Sequence, residues 1–195
     1  HGAFDPAWAA RMRAVAFAEH ASIAAFARTT AQLCALGAPS WLVAATARAL
    51  SDETEHAEGA FALARVFGDE AASPGEFPEA IAPMPEFAGL AEALLVDVIR
   101  GGCVGETLAV LEATELRDAA PEQARDYFTR VIADEARHAA LAFQTVRWLV
   151  ARMPALVPLA QRTFAQAIGC SGAADACRAM LADVARATVD GQLAS

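Results

Sequence analysis

Glu53-Thr54-Glu55-His56 and Glu135-Ala136-Arg137-His138 each place a carboxylate and an imidazole three residues apart, and the two words lie 82 positions apart. On a helix, residues i and i+3 project from one face, about 60° apart around the axis. Two lone glutamates, Glu19 and Glu106, precede the two words, one each. Four carboxylates and two imidazoles suit a carboxylate-bridged pair of divalent ions, iron or manganese, inside a helical bundle. Four carboxylate charges and two divalent ions sum to zero, so such a set can share a core without a prohibitive desolvation cost.

The two words belong to a longer repeat. RALSDETEHAEGAFALARV, from Arg48, aligns without a gap on RVIADEARHAALAFQTVRW, from Arg130, with eight identities in nineteen positions. Alanine identities carry little weight in so Ala-rich a chain. Asp-Glu-x-x-His carries more, because the chain has 4 histidines and two of them fall here. An internal duplication is the simplest reading.

Glu19, in FAEHASIAAFAR, has Met12, Val15, Ile23 and Phe26 on its side of the helix. Glu106, in GGCVGETLAVL, shares its face with Cys103, Ala109 and Val110. A glutamate in an apolar stripe is costly unless paired or metal-bound. Glu112 and Glu115 compete with Glu106 but lie on other faces, and Glu55 and Glu58 read as solvated. Asp52 and Asp134, one residue before the ligand glutamates, are candidates to accept the outer N–H of a ligand histidine, each from the opposite half. A solvent-facing Asp is the alternative for both. His20 lies off the face of Glu19 and is not expected to be a ligand. Tyr127 reads as a packing residue. Phe26, Phe61, Cys103, Val110 and Ile132 are the expected lining of a substrate cavity.

The elements that must carry these residues are legible from punctuation. Asp5-Pro6 is a helix start, with Asp as N-cap and Pro at the first position. The first helix is expected from Pro6 to Leu36. After a Gly37–Pro39 turn, Ser40 caps a second helix ending near Gly68. Four prolines, at 74, 78, 83 and 85, make the following stretch the one long irregular connection. A third helix is expected over Glu86–Ala119 and a fourth from Pro121 to Arg152. A C-terminal helical segment follows from Pro154, broken near Gly169–Gly172 and resumed to Asp190. Gly101, Gly102 and Gly105 inside the third helix cost helix stability. They fit a π-bulge, a close helix crossing or a cavity beside the ligands.

Composition agrees. Ala and Leu dominate, β-branched runs are scarce, and 195 residues suffice for one domain, residues 1–195. The formal charge of −9 argues against nucleic acid and anionic membrane surfaces. No charge-free apolar stretch of about 18 residues predicts a membrane span. The chain has no Lys, so no Schiff base can form on one, and the absence of Lys and Asn points to GC-rich bacterial coding. Cys34, Cys103, Cys170 and Cys177 form no Cys-x-x-Cys, which excludes a rubredoxin-type or zinc-ribbon site. They are expected as buried free thiols, with a Cys170–Cys177 disulfide as the alternative. The sequence opens on His1 without a visible signal peptide. A cytoplasmic location is therefore the default, and an extracytoplasmic one follows if a leader has been removed.

Short loop, long crossover, short loop, with ligands in the order Glu, Glu-x-x-His, Glu, Glu-x-x-His, resembles the ferritin-like di-iron carboxylate superfamily over Pro6–Arg152. EHASIAAFAR, GCVGET and DEARHA look most like uncharacterised bacterial members. The resemblance implies an all-α, ferritin-like four-helix bundle with a C-terminal helical extension. It implies two iron ions held by Glu19, Glu53, His56, Glu106, Glu135 and His138, with manganese open in either position. Glu53 and Glu135 would bridge. Position 109 is Ala where a rubrerythrin would have a further Glu, and Thr54 and Glu55 stand where bacterioferritin has its haem-ligating Met. His138 is present where storage ferritins commonly lack it. The full ligand set is similar to that of enzymes that use O₂ as co-substrate. An oxidase or oxygenase acting on an organic substrate, with an external electron donor, is therefore the expected function. A ferroxidase or a non-catalytic scaffold is the alternative, and a homodimer is the default assembly.

Overall fold

In the computed structural model the described residues are 4–81 and 83–191, and they contain helices and no strand. Helix α1 (Pro6–Ala35) starts as its sequence dictates, with Asp5 accepting from the amides of Ala7 and Trp8 at 3.1 Å. It ends at Gly37, whose φ of 68° lets the chain reverse. Helix α2 (Ser40–Val66) returns antiparallel, because the Asp5 amide donates to the Phe67 carbonyl at 3.0 Å. Its N-cap is Pro39, with no side-chain hydrogen bond, and Ser40 is already helical, which corrects the expected serine cap.

The expected third helix is not uniform. After the long connection come α3 (Leu90–Asp97), a π-helical stretch Val98–Glu106 and α4 (Thr107–Ala119), on one continuous path. The glycines explain part of this. A Cβ on Gly102 would stand 2.5 Å from Ala142 Cβ, so only glycine permits the approach to the next helix, while one on Gly101 would meet nothing within 4 Å. Helix α5 (Glu122–Arg152) runs antiparallel to α2, since Tyr127 reaches the His56 carbonyl while Asp52 pairs with His138.

Helices α6 (Val157–Cys170) and α7 (Asp175–Asp190) form a hairpin against one end of these helices. Phe164, Leu181 and Val189 join Leu94, Ile99, Val146 and Leu149 in one apolar cluster. A second cluster, with Met12, Ala16, Phe61, Phe67 and Phe128, fills the other end. Removing a large side chain from either would cost about 2–5 kcal/mol. The polar candidates lie between the two clusters, midway along the bundle. All four cysteines are free. Cys103 is buried, Cys177 half-buried, and Cys34 and Cys170 exposed, so the expectation of buried thiols holds for Cys103 alone. No helix among the described residues is long and apolar enough to cross a membrane.

Candidate metal centre

The helix registers bring the six candidate ligands into two overlapping groups. Glu19, Glu53, His56 and Glu135 form one, and Glu53, Glu106, Glu135 and His138 the other, with the potential ligand atoms of each group within 4.8 Å of one another. Glu53 and Glu135 belong to both. They are 1% and 2% exposed, whereas Glu19 and Glu106 are half-buried, so the polar cluster opens on one side.

Glu135 spans the two halves. Its Oε1 lies 3.4 Å from His56 Nδ1 and its Oε2 3.4 Å from His138 Nδ1. Glu53 Oε1 lies 2.9 Å from His138 Nδ1, and Glu19 Oε2 lies 3.7 Å from His56 Nδ1. Despite these approaches, Glu53 Oε1, Glu135 Oε2 and both Nδ1 atoms are buried without a hydrogen bond of acceptable geometry. Proximity is there, but the lone pairs converge on shared space and not on each other's protons. Four unpartnered buried polar atoms would be costly by themselves. Hard oxygen and imidazole donors around divalent cations remove that cost, so the residues present fit two such ions.

The outer nitrogens are fixed by carboxylates from the opposite half. His56 Nε2 donates to Asp134 Oδ2 at 3.0 Å, and His138 Nε2 donates to Asp52 Oδ2 at 3.1 Å. A carboxylate can only accept, so each Nε2 carries a proton and each Nδ1 is free to ligate. Arg137 bridges the two aspartates, its Nη1 2.6 Å from Asp134 Oδ1 and its Nη2 3.3 Å from Asp52 Oδ2. Sequence reasoning missed this contact, though its signal stands inside the second word, where the first has Glu55. The Tyr127 hydroxyl donates to the His56 carbonyl at 3.2 Å and so ties down the backbone of that candidate ligand.

Left to protons alone, the cluster retains several near neutral pH. Burial pushes Glu53 up to about 8, against the opposing pull of His138. Burial, the adjoining Glu135 carboxylate and the other surrounding acids push Glu106 up to about 11. Burial would lower both histidines, but the carboxylates outweigh it. Glu135, Glu19 and Asp134 hold His56 at about 11, while Glu135, Glu53 and Asp52 hold His138 at about 10. Burial would raise Glu135, yet His138 and His56 hold it well below the usual carboxylate range. Burial also pushes the Cys103 thiol up, leaving it a protonated and unreactive core residue.

Compared with protein-family models, with curated proteins and with solved structures, the chain matches none. The centre must therefore be read from its own chemistry.

Two clefts reach it. One, of about 780 Å³, runs between α1 and α4 over Ala14, Ala18, Ala109 and Ala113, and meets Glu19, Glu106 and Glu135. Its lining includes Arg11, Glu112 and Glu115. The other, of about 510 Å³, passes Phe26, Gly101 and Leu141 to Glu106 and His138. Of the five residues expected to line a cavity, Phe26 does. Phe61 and Cys103 are consumed by the two apolar clusters, Ile132 packs against one of them, and Val110 lines neither cleft. The expectation took the helices as evenly packed, whereas the free space lies where α1 stands off from α4. His20 packs near Phe77 and belongs to neither ligand group.

Proposed function

We propose that the protein is a di-metal carboxylate oxidoreductase of ferritin-like architecture, using O₂ to oxidise an organic substrate. The observation that carries this reading is the paired cluster in which Glu53 and Glu135 are common to two ligand groups, each completed by one Glu and one His. Glu19 and His56 would complete one position, and Glu106 and His138 the other. Iron suits this donor set and reaction, and manganese fits the same donors. Two bound irons would supply electrons to O₂ and a Lewis-acidic centre beside the substrate.

The chain's own residues do the rest. Asp134 and Asp52 hold the imidazoles in the tautomer that presents Nδ1 inward. The flanking apolar clusters exclude water on two sides. The half-buried Glu19 and Glu106 face the clefts, so that side of the centre is open to a small molecule. In a hydroxylation one oxygen atom enters the product. The other leaves as water, with two electrons and two protons from an external donor.

The acidic lining of the larger cleft favours a second reading, ferroxidase, in which Fe(II) passes Glu112 and Glu115 as the substrate itself. Anaerobic loading with Fe(II), metal quantitation and a pulse of O₂ separate the two. About two irons per chain, oxidised once and re-reduced for further turnover, fit the oxidoreductase. Continuous oxidation of many irons per chain fits iron handling. No stoichiometric binding would overturn both.

A further inference from the structure

The two clefts meet at Ser22, Glu106 and Ala109, but their chemistry differs. The larger one carries Glu112 and Glu115 against the single cation Arg11, whose guanidinium is stacked 5.3 Å over Trp8. The smaller one carries two arginines, Arg28 and Arg100, with Asp97 beside them and Glu106, shared with the larger cleft, at its inner end. Neither arginine is within ion-pair distance of a carboxylate among the described residues, and Arg28 has only a 3.4 Å contact to the Pro83 carbonyl. In a chain of net charge −9 without Lys, two unpaired arginines against Asp97 make the outer part of this cleft a local reversal.

Inward of these arginines the wall turns apolar, through Phe26, Val98, Leu141 and Ala142. It ends at His138, Glu106 and two buried threonines, Thr46 and Thr145. Both threonine hydroxyls donate to their own helix, to the Leu42 and Leu141 carbonyls, so they add little polarity to the inner end. The volume of about 510 Å³ lies in the range of small-molecule sites.

The geometry points to this cleft as the site of the organic substrate, and to an amphipathic carboxylate as its class. Arg28 and Arg100 would take the carboxylate, each through charge-assisted hydrogen bonds that a guanidinium fork supports. The aliphatic or aryl body would lie along Phe26, Val98 and Leu141, with its far end beside Glu106 and His138. This rests on the oxidoreductase reading for the meaning of "substrate", but the binding itself needs no metal. It also separates traffic. Anions are drawn to the smaller cleft and cations to the larger, so an acid substrate and a divalent ion do not compete for one entrance.

The test is binding to the full chain, metal-free and loaded with redox-silent Zn(II), followed by calorimetry. The probes are a panel of medium-chain aliphatic and aryl carboxylates headed by decanoate, with decanol and decylamine as controls. Saturable binding of at least one carboxylate, tighter than alcohol and amine of equal length, is the expected result. R28Q/R100Q should weaken it about tenfold. Both arginines lie at the cleft mouth and neither is in the core, so the double variant should fold. Gly101→Phe, at a position where a Cβ meets nothing within 4 Å, should also weaken binding by narrowing the mouth. No saturable carboxylate binding, equal binding of all three head groups, or indifference to both variants would each overturn the proposal. Metal quantitation on the same samples keeps the two readings apart. Two ions per chain without carboxylate binding sinks the substrate class alone, and carboxylate binding by a chain that retains no Zn(II) after loading sinks the centre alone.

Discussion

The two halves of the repeat carry the same ligand word in unequal surroundings. Asp52-Glu53-x-x-His56 and Asp134-Glu135-x-x-His138 exchange partners symmetrically, each histidine donating to the other half's aspartate. Their glutamates are not equivalent. Glu135 stands 3.4 Å from both histidines and is held strongly acidic, while Glu53 reaches ion-pair distance with His138 but not with His56 and is pushed up to about 8. The third ligand of each group differs too. Glu19 rides on an uninterrupted α-helix, whereas Glu106 closes a π-helical stretch. The matching words thus set the inner cluster, while the helix that faces each word sets its charge and access.

The largest break in this comparison is at the shared carboxylates. Glu53→Gln or Glu135→Gln should weaken both positions by more than about a hundredfold, beyond what loss of an outer partner costs. Glu19→Gln and Glu106→Gln should each release one ion and leave the other. Metal content after dialysis reads this out. Retention of one ion in Glu135→Gln would show that the carboxylate does not bridge.

Next in size is the response to pH. Glu53, Glu106, His56 and His138 all have folded values above their ordinary ones. A group with a raised folded pKa binds more protons folded than unfolded, so its stabilisation is full below its ordinary pKa and is lost as pH rises through the folded value. All four therefore act with the same sign between about pH 6.5 and about pH 8, at up to about 1.4 kcal/mol per pH unit each. Denaturant midpoints of the metal-free protein should fall across that window. Saturating divalent metal should cancel or reverse the trend, because ions displace the same protons. A midpoint that rises with pH in the metal-free protein would contradict the proton content of the cluster.

Asp52→Asn and Asp134→Asn come third, each weakening its ion about 10- to 100-fold. Equal effects would mean the halves are equivalent at this level. The expectation is a larger loss for Asp134→Asn, since Asp134 is the more buried of the two, at 15% side-chain exposure against 28%. Competition with a chromophoric chelator measures both.

How much was legible follows from where the signals are local. The bounds of α1, α2 and α5 fall within two residues of those expected, because Pro6, Gly37, Gly68 and Pro121 are short-range punctuation. The polar cluster was legible because a carboxylate in an apolar stripe is too costly to leave without a partner or an ion, and the structure brings all six residues together. The π-helical stretch was not, beyond the hint of its glycines, since it depends on how closely Gly102 meets Ala142 across the bundle. The cavity lining was least legible. It is set by the gap between α1 and α4, which no local pattern encodes, so Phe61 and Cys103 went into the core instead.

The smallest expected effect tests where the halves differ most plainly in sequence. Arg137 and Glu55 occupy the same place in the two words, yet Arg137 reaches Asp52 of the other half while also pairing with Asp134 of its own. Its side chain is 61% exposed, so each contact is screened and contributes at most about 1 kcal/mol. Arg137→Gln should therefore loosen both aspartates by a similar small amount, with metal affinity falling about threefold at low salt and less at high salt. Glu55→Gln should change neither. Because one guanidinium serves both aspartates, Arg137→Gln should add less to Asp52→Asn than it removes from the intact protein, a non-additivity that a double-mutant cycle reads directly. Full additivity would mean that Arg137 is a bystander on the surface, and that the symmetry of the centre is kept by the aspartates alone.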